Sequence, residues 1–330
     1  MNLTEVFAQF SSKRIAIIGD VMLDAYVMGK VHRMSPEAPV PVLLLNHEEQ
    51  RLGGAANVAL NLKSLGAQVH ICSVIGDDEQ GKKLIQLLET SEINCSGILQ
   101  ETSRKTTVKT RVLSGSQHLL RIDQEDISPL NKNLSEKLVS KVQAFIESGI
   151  DALIFEDYNK GVLTESVITE CISLAKQNGV LTCVDPKKDH FFAFEAVDLF
   201  KPNLKELKEG LEIEINPKEL SSLVSASSEL RKKLHHRLSL ITLSEFGVFV
   251  DDGQEQVVIP AHFRKITDVS GAGDTVISVA ALALCSGMNH QQVAALANLA
   301  GGLVCEHSGV VSVNSKKLLE EAIKLNEFNE

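Results

Sequence analysis

Thr267-Asp268-Val269-Ser270-Gly271-Ala272-Gly273-Asp274-Thr275 is the stretch around which the sequence is organised. Two glycines bracket one alanine, and an aspartate follows at once. Val276 to Cys285 then runs apolar almost all round, and Gly287 ends it. The pattern predicts a buried helix over Gly273 to Cys285 whose N-terminus is the glycine turn. A helix start offers unpaired N–H groups and the positive end of a dipole, which suits an anion. Small residues let a phosphate come close to the backbone. A carboxylate at the same place would repel that phosphate unless it has a proton to take. An anion cradle beside a base is the layout expected for phosphoryl transfer to a hydroxyl. The plainer reading is that Asp274 only charges a helix start, where Asp is favoured.

The chain has 330 residues, 44% of them hydrophobic and 23% charged, as in an ordinary globular protein. Lys and Arg number 33 against 43 Asp and Glu, a formal net charge of −10. That excludes general attraction to nucleic acid or an anionic membrane, so neither is expected as a partner. Met1 to Phe10 shows no basic-then-apolar leader, and no apolar stretch reaches membrane-spanning length. The six cysteines form no C-x-x-C pair and no Cys/His zinc spacing. Free, buried thiols and a cytoplasmic location are expected.

Arg14 to Val21 predicts a buried strand that ends at Gly19-Asp20. Pro36, Pro39 and Pro41 then mark residues 27–45 as an exposed strand pair or flap, since proline avoids central strands. Thr106 to Val112 and His118 to Asp123 alternate around Ser114-Gly115-Ser116, a hairpin signal. Together these predict a small β lid from segments at about 25–48 and 105–124. Elsewhere strands alternate with helices. Strands are expected at Val69 to Ile75, Ala152 to Glu156, Leu181 to Val184, Leu199 to Lys201 and Leu238 to Leu243. Helices are expected at Ala55 to Leu65, Glu79 to Leu88, Leu134 to Ile146, Thr164 to Gln177 and Gln291 to Glu306. Phe249 to Asp251 and Gln256 to Ile259 read as a hairpin. Such alternation implies one α/β domain over 1–330, with a mostly parallel sheet covered on both faces. Active groups then belong at the C-terminal strand ends, where Asp20, Glu156, Asp157, Asp185 and Asn203 stand.

No P-loop, dinucleotide fingerprint, protein-kinase signature or nucleophile elbow occurs. Gly53-Gly54-x-x-Asn57 at a predicted helix start either holds a polyhydroxylated ligand or is a tight turn and cap. Asn203-x-x-Glu206 either orders the water shell of Mg²⁺ near ATP phosphates or forms a capping box, and both can hold at once. Lys109, Arg111 and Arg121 on the hairpin, and Lys187 after Asp185-Pro186, are candidates for a substrate phosphate or simply solvated charges.

Gly53-Gly54-x-x-Asn57, Asn203-x-x-Glu206 and Asp268-x-x-Gly271-Ala272-Gly273-Asp274 stand in this order. The arrangement resembles the ribokinase-like (PfkB) family of carbohydrate kinases over about residues 14–312. Gly19-Asp20-Val21-Met22-Leu23-Asp24, the run Met34 to Val42, the run Gly53 to Ala59 and Asp185-Pro186-Lys187 are similar to one branch of it. Members of that branch phosphorylate D-glycero-D-manno-heptose 7-phosphate at the anomeric O1. The 1,7-bisphosphate feeds ADP-heptose and lipopolysaccharide core synthesis. The resemblance implies a ribokinase-like three-layer α/β/α fold with a mostly parallel central sheet and a β-strand lid.

It also implies roles. Asp274 resembles the catalytic base, and Gly271, Ala272 and Gly273 the anion hole. Asp24, Gly53, Gly54 and Asn57 are similar to the sugar-binding set; of the basic candidates above, Arg111 and Lys187 are expected to bind the substrate with it. Asn203 and Glu206 match the Mg²⁺/phosphate motif, with the metal contacted through water. Ser244 and Gly247 correspond to a nucleotide-side loop, where Gly271 and Gly273 also face, and Asn298 to a residue beside the adenosine. Asp268 and Ser270 resemble ligands of the monovalent cation, such as K⁺, that some members use. ATP and Mg²⁺ are implied, as is a homodimer through the lid. Many members of the branch carry a C-terminal nucleotidyltransferase; no H-x-G-H element stands near Glu330, so a stand-alone kinase with a separate adenylyltransferase is expected. Ser270 stands where Thr is more usual, and Lys188 where glycine is expected. Alternatives are another sugar kinase of the same family, of hexose or ribose type, and a non-catalytic sugar-binding regulator on the same scaffold.

Overall fold

The computed structural model describes residues 2–115 and 117–325. Its strands, in chain order, are β1 (Arg14–Gly19), β2 (Val21–Met34), β3 (Pro41–Gly54), β4 (Gln68–Gly76), β5 (Asn94–Glu101), β6 (Val108–Ser114) and β7 (Gln117–Gln124). They continue with β8 (Ala152–Glu156), β9 (Leu181–Asp185), β10 (Leu199–Phe200), β11 (Leu238–Thr242), β12 (Val248–Asp251) and β13 (Gln256–Ile259). The first helices are α1 (Leu3–Phe10), α2 (Ala55–Ser64), α3 (Glu79–Thr90), α4 (Lys132–Glu147) and α5 (Glu165–Gln177). After them come α6 (Leu204–Leu211), α7 (Leu220–Leu234), α8 (Ala272–Cys285), α9 (His290–Val304) and α10 (Ser315–Lys324).

The central sheet runs β13-β12-β11-β10-β9-β8-β1-β4-β5. Every neighbouring pair from β5 to β11 is parallel, and β12 and β13 add an antiparallel edge. Parallel strands of this kind are buried on both faces, and the side chains show it. Ile15 and Ile17 of β1 join the core under α1, α2, α8 and α9, while Ala16 and Ile18 join the core under α4, α5 and α7. β8 alternates in the same way, with Ile154 on one side and Leu153 and Phe155 on the other. The result is three layers, helix on sheet on helix. α8 is buried along nearly its whole length, from Asp274 to Ala283.

A second sheet, β3-β2-β6-β7, projects from the body. β2 pairs with β3 antiparallel and with β6 parallel, and β6 pairs with β7 antiparallel. The sequence reading placed Arg14 to Val21 in one strand and began the flap near residue 27. In the structure the chain leaves the central sheet at Asp20, and β2 starts at Val21. The inner half of β2 is buried and its outer half exposed, so no single period marks its start. Ser116, part of the predicted hairpin signal, lies outside the described residues.

β3 runs directly into α2, with Gly54 as the turn. A Cβ on Gly54 would sit 2.5 Å from the Asp20 carbonyl oxygen, and its φ of 58° is left-handed, so glycine is required there. The sheet exit at Asp20 and the start of α2 are thereby clamped together. The six cysteines are free, and no helix among the described residues is long and apolar enough to cross a membrane.

Candidate active site

Two helix starts meet at one carboxylate. Asp274 lies in the first turn of α8, and Asn57 in the first turn of α2; both are buried. Asn57 Nδ2 donates to Asp274 Oδ2 at 2.6 Å. Further along, Thr275 Oγ1 donates to Asn61 Oδ1 at 3.1 Å, and Ser278 Oγ to the Val58 carbonyl at 3.2 Å. These buried polar contacts fix the two helices in register. Gly271 precedes α8 with a left-handed φ of 78°, and a Cβ there would meet Asn57 Nδ2 at 2.8 Å. The glycine is needed both for the turn and for the approach of Asn57. The first turn of α8 also leaves N–H groups without intrahelical acceptors, at Gly273 and Asp274.

The other carboxylate oxygen of Asp274 accepts the Tyr158 hydroxyl at 2.8 Å. Tyr158 follows β8 in a loop that Asp20 holds: the backbone N–H groups of Tyr158, Lys160 and Val162 all donate to the Asp20 carboxylate. Motif reading gave Tyr158 no role. Its only sequence signal was position, directly past the C-terminal end of a buried strand.

Burial pushes the Asp274 carboxyl above the usual range, and Asp185 adds to this, while Asn57, Tyr158 and Lys201 pull it down. Lys201, also missed, follows β10 and is buried against Asp185, with Nζ–Oδ2 of 2.8 Å. Burial alone would lower the Lys201 ammonium, but Asp185 and Glu206 raise it above its usual range. Glu156, Asp185 and Asp274 each bring an oxygen within 4.8 Å of the others. Neither Glu156 oxygen has a hydrogen-bond partner. Burial, then Asp185 and Asp274, hold its carboxyl well above the usual range.

A cleft of about 670 Å³ opens beside Asp274. Gly271, Gly273, Lys187, Lys201, Asn203, Glu206 and Ser244 line it. Asn203 caps α6: its side chain accepts the Glu206 N–H at 2.8 Å, and Glu206 Oε2 accepts the Asn203 N–H at 2.8 Å. The capping box therefore exists, and it faces the cleft. Lys187 donates to Glu206 Oε1 at 2.6 Å, which places Lys187 with Asn203 and Glu206 rather than with the lid. Gly247 and Asn298 do not line the cleft. Both meet the segment that ends β13: a Cβ on Gly247 would meet the Ile259 carbonyl oxygen, and Asn298 Nδ2 donates to the Pro260 carbonyl at 2.9 Å.

On the lid side, Asp24 is buried in an ion pair with Arg111. A Cβ on Gly53 would lie 2.2 Å from Asp24 Oδ2, so this glycine admits the carboxylate. Asp268 precedes the glycine turn, and its charge acts on Arg111 of the lid. Its carboxylate accepts from the N–H and hydroxyl of Ser270 and from the Gly309 N–H. Against the upward push of burial, those contacts hold the Asp268 carboxyl below its usual range.

The sequence matches the model of the pfkB family carbohydrate kinases over residues 12–317. The chain belongs to this family. It is 39% identical over 297 residues to the bifunctional protein HldE of Helicobacter acinonychis, covering 90% of this chain and 64% of the relative. It is 38% identical over 307 residues to the bifunctional protein HldE of Sulfurimonas denitrificans, covering 93% of this chain and 64% of the relative. The chain thus spans less than two thirds of the curated relatives it matches. Phosphofructokinase-2 from Escherichia coli in complex with potassium superposes with a TM-score of 0.78 at 18% identity, over 94% of this chain and 99% of that one. Arabidopsis thaliana ribokinase complexed with ribose and ATP gives 0.73 at 17%, over 95% and 99%. The fold is ribokinase-like.

The Tyr158 hydroxyl pulls the Asp274 carboxyl down, so Tyr158→Phe will raise its pKa. A pH profile of kcat/KM should show the acid limb moving to higher pH in the variant. An unmoved limb would separate Tyr158 from the titration of Asp274.

Proposed function

We propose that this chain is an ATP-dependent sugar kinase whose acceptor is D-glycero-β-D-manno-heptose 7-phosphate, phosphorylated at the anomeric O1. The observation that carries the reaction class is Asp274: a buried carboxylate with two hydrogen bonds, at a glycine-made helix start, on the wall of a polar cleft. Family membership supports the same class. The acceptor rests on the resemblance of Gly19 to Asp24, Met34 to Val42, Gly53 to Ala59 and Asp185 to Lys187 to the heptose 7-phosphate branch. The identity to the HldE proteins, spread over 90% or more of the chain, agrees with it.

The nucleotide occupies the cleft, with its terminal phosphoryl toward the Gly271 to Gly273 turn. The sugar lies on the other side of Asp274, against Asp24, Gly53, Gly54 and Asn57, and the lid covers it. Covering excludes water that would otherwise take the phosphoryl group. Asp274 accepts the proton of the attacking hydroxyl as the oxygen–phosphorus bond forms and the bond to the leaving ADP breaks. N–H groups at the start of α8 and the Lys187 and Lys201 ammoniums stabilise charge on the moving phosphoryl.

The cleft fits a hydrated divalent cation. Asp185 Oδ1 is buried without a hydrogen bond, though the Lys187 ammonium lies 3.6 Å away, and Asn203 and Glu206 also line the cleft. Both Glu206 oxygens are already engaged, which favours contact through water, as Mg²⁺ prefers. A bound Mg²⁺ would neutralise charge on the nucleotide phosphates. K⁺ is proposed beside Asp268 and Ser270, where the carboxylate is held ionised.

Incubation with ATP-Mg²⁺ and a panel of sugars and sugar phosphates, with phosphorus NMR of the products, tests the reading. Heptose 7-phosphate should be consumed fastest, with the new phosphate on O1, and K⁺ should accelerate turnover over a tetramethylammonium control. A faster hexose or pentose, or phosphate at another carbon, would overturn the choice of acceptor.

The lid leaves Leu44, Leu45, Leu120 and Ile122 exposed, and this apolar surface suits a second copy of the chain. Sedimentation velocity should give a dimer, and Leu44→Glu with Ile122→Glu should give a monomer. A monomeric native protein at micromolar concentration would refute the pairing.

A further inference from the structure

The kinase reading requires a cation for the acceptor's own phosphate, and most basic side chains near the site are already taken. Arg111 is paired with Asp24, and its guanidinium lies 5.4 Å from the centre of the Tyr26 ring. Lys187 is paired with Glu206 at 2.6 Å and faces the nucleotide cleft. Arg121 is paired with Asp123 at 2.9 Å, and Lys160 with Glu125 at 2.7 Å.

Lys109 differs. It is half-buried on β6, and it has no ion-pair partner among the described residues. Its ammonium lies 5.1 Å from the centre of the Tyr158 ring, whose hydroxyl donates to Asp274. Its register partner across the lid is Asp24 on β2. Lys109 therefore stands one aromatic ring away from the base, beside the carboxylate of the sugar-side set. Burial holds its ammonium pKa below the usual range, and Lys160 pushes the same way; Asp24, Asp123 and Glu125 offset part of this. A partly buried cation without a counter-ion is costly, and contact with one ring repays only part of the cost. A dianionic phosphate would supply the missing partner.

We propose that Lys109 reads a phosphate monoester on the acceptor sugar, at the end remote from the hydroxyl that Asp274 deprotonates. The inference rests on the kinase reading above, and it moves acceptor specificity from Arg111 and Lys187 to Lys109. Arg111 instead positions Asp24, and Lys187 serves the nucleotide side.

Steady-state kinetics of Lys109→Met, with heptose 7-phosphate and with unphosphorylated heptose as acceptors, tests it. The KM for the ester should rise roughly 10- to 100-fold, the usual loss for one charge-assisted contact. The KM for the free sugar should move far less, so the preference for the ester collapses. Lys109→Arg should keep most of that preference. An unchanged binding constant for a non-hydrolysable ATP analogue, by titration calorimetry, verifies that the variant is folded. Equal changes for both acceptors, or a preserved preference, would overturn the assignment of Lys109 alone. A wild-type protein that phosphorylates neither acceptor would overturn the kinase reading together with it.

Discussion

A carboxylate removed from water needs hydrogen bonds or a nearby cation, or it takes up a proton. Asp274 meets this constraint with Asn57, Tyr158 and Lys201, and each of them depends on a different part of the fold. Asn57 needs Gly54 to turn β3 into α2. Tyr158 needs Asp20 to hold the loop after β8. Lys201 needs β10 to sit beside β9, where Asp185 receives it. The parallel sheet brings these strand ends to one edge, and α8 delivers the carboxylate to the same point.

Around that point the charges are graded. Glu156 has no hydrogen-bond donor, and burial with its two neighbouring carboxyls holds it well above the usual range. Asp185 is paired with Lys201, and Asp274 is hydrogen-bonded on both oxygens. The lid is held by comparable means. Arg111 ties Asp24 within it, and Arg51 reaches across to the Val310 carbonyl at 3.0 Å, where the Val310 N–H in turn donates to the Tyr26 hydroxyl. The lid is thereby fastened to the segment that follows α9.

The alternation of strands and helices was legible because parallel strands read as short apolar runs and α8 as a long one. The glycine turn and its aspartate were legible because their chemistry is local in sequence. Less was legible where structure came from tertiary context. β2 continues from β1 with only Gly19-Asp20 at the junction, too short a break to show in the sequence that the chain changes sheet there. β5 is an edge strand whose Asn94-Cys95-Ser96-Gly97 start carries little β character, and serines hide the apolar face of α7. Tyr158 and Lys201 escaped motif reading because each acts through a partner more than 15 residues away. Asn203 and Glu206 were readable as a cap or as a ligand-facing pair, and the geometry permits both at once.

The central claim is that Asp274 takes the proton of the accepting hydroxyl. Asp274→Asn preserves shape and hydrogen-bonding size but removes the base. Rapid-quench kinetics should show kcat falling by about 10²–10⁴, the usual contribution of a positioned general base, with the affinity for ATP retained. A variant whose kcat stays within about threefold of the wild type would contradict the account.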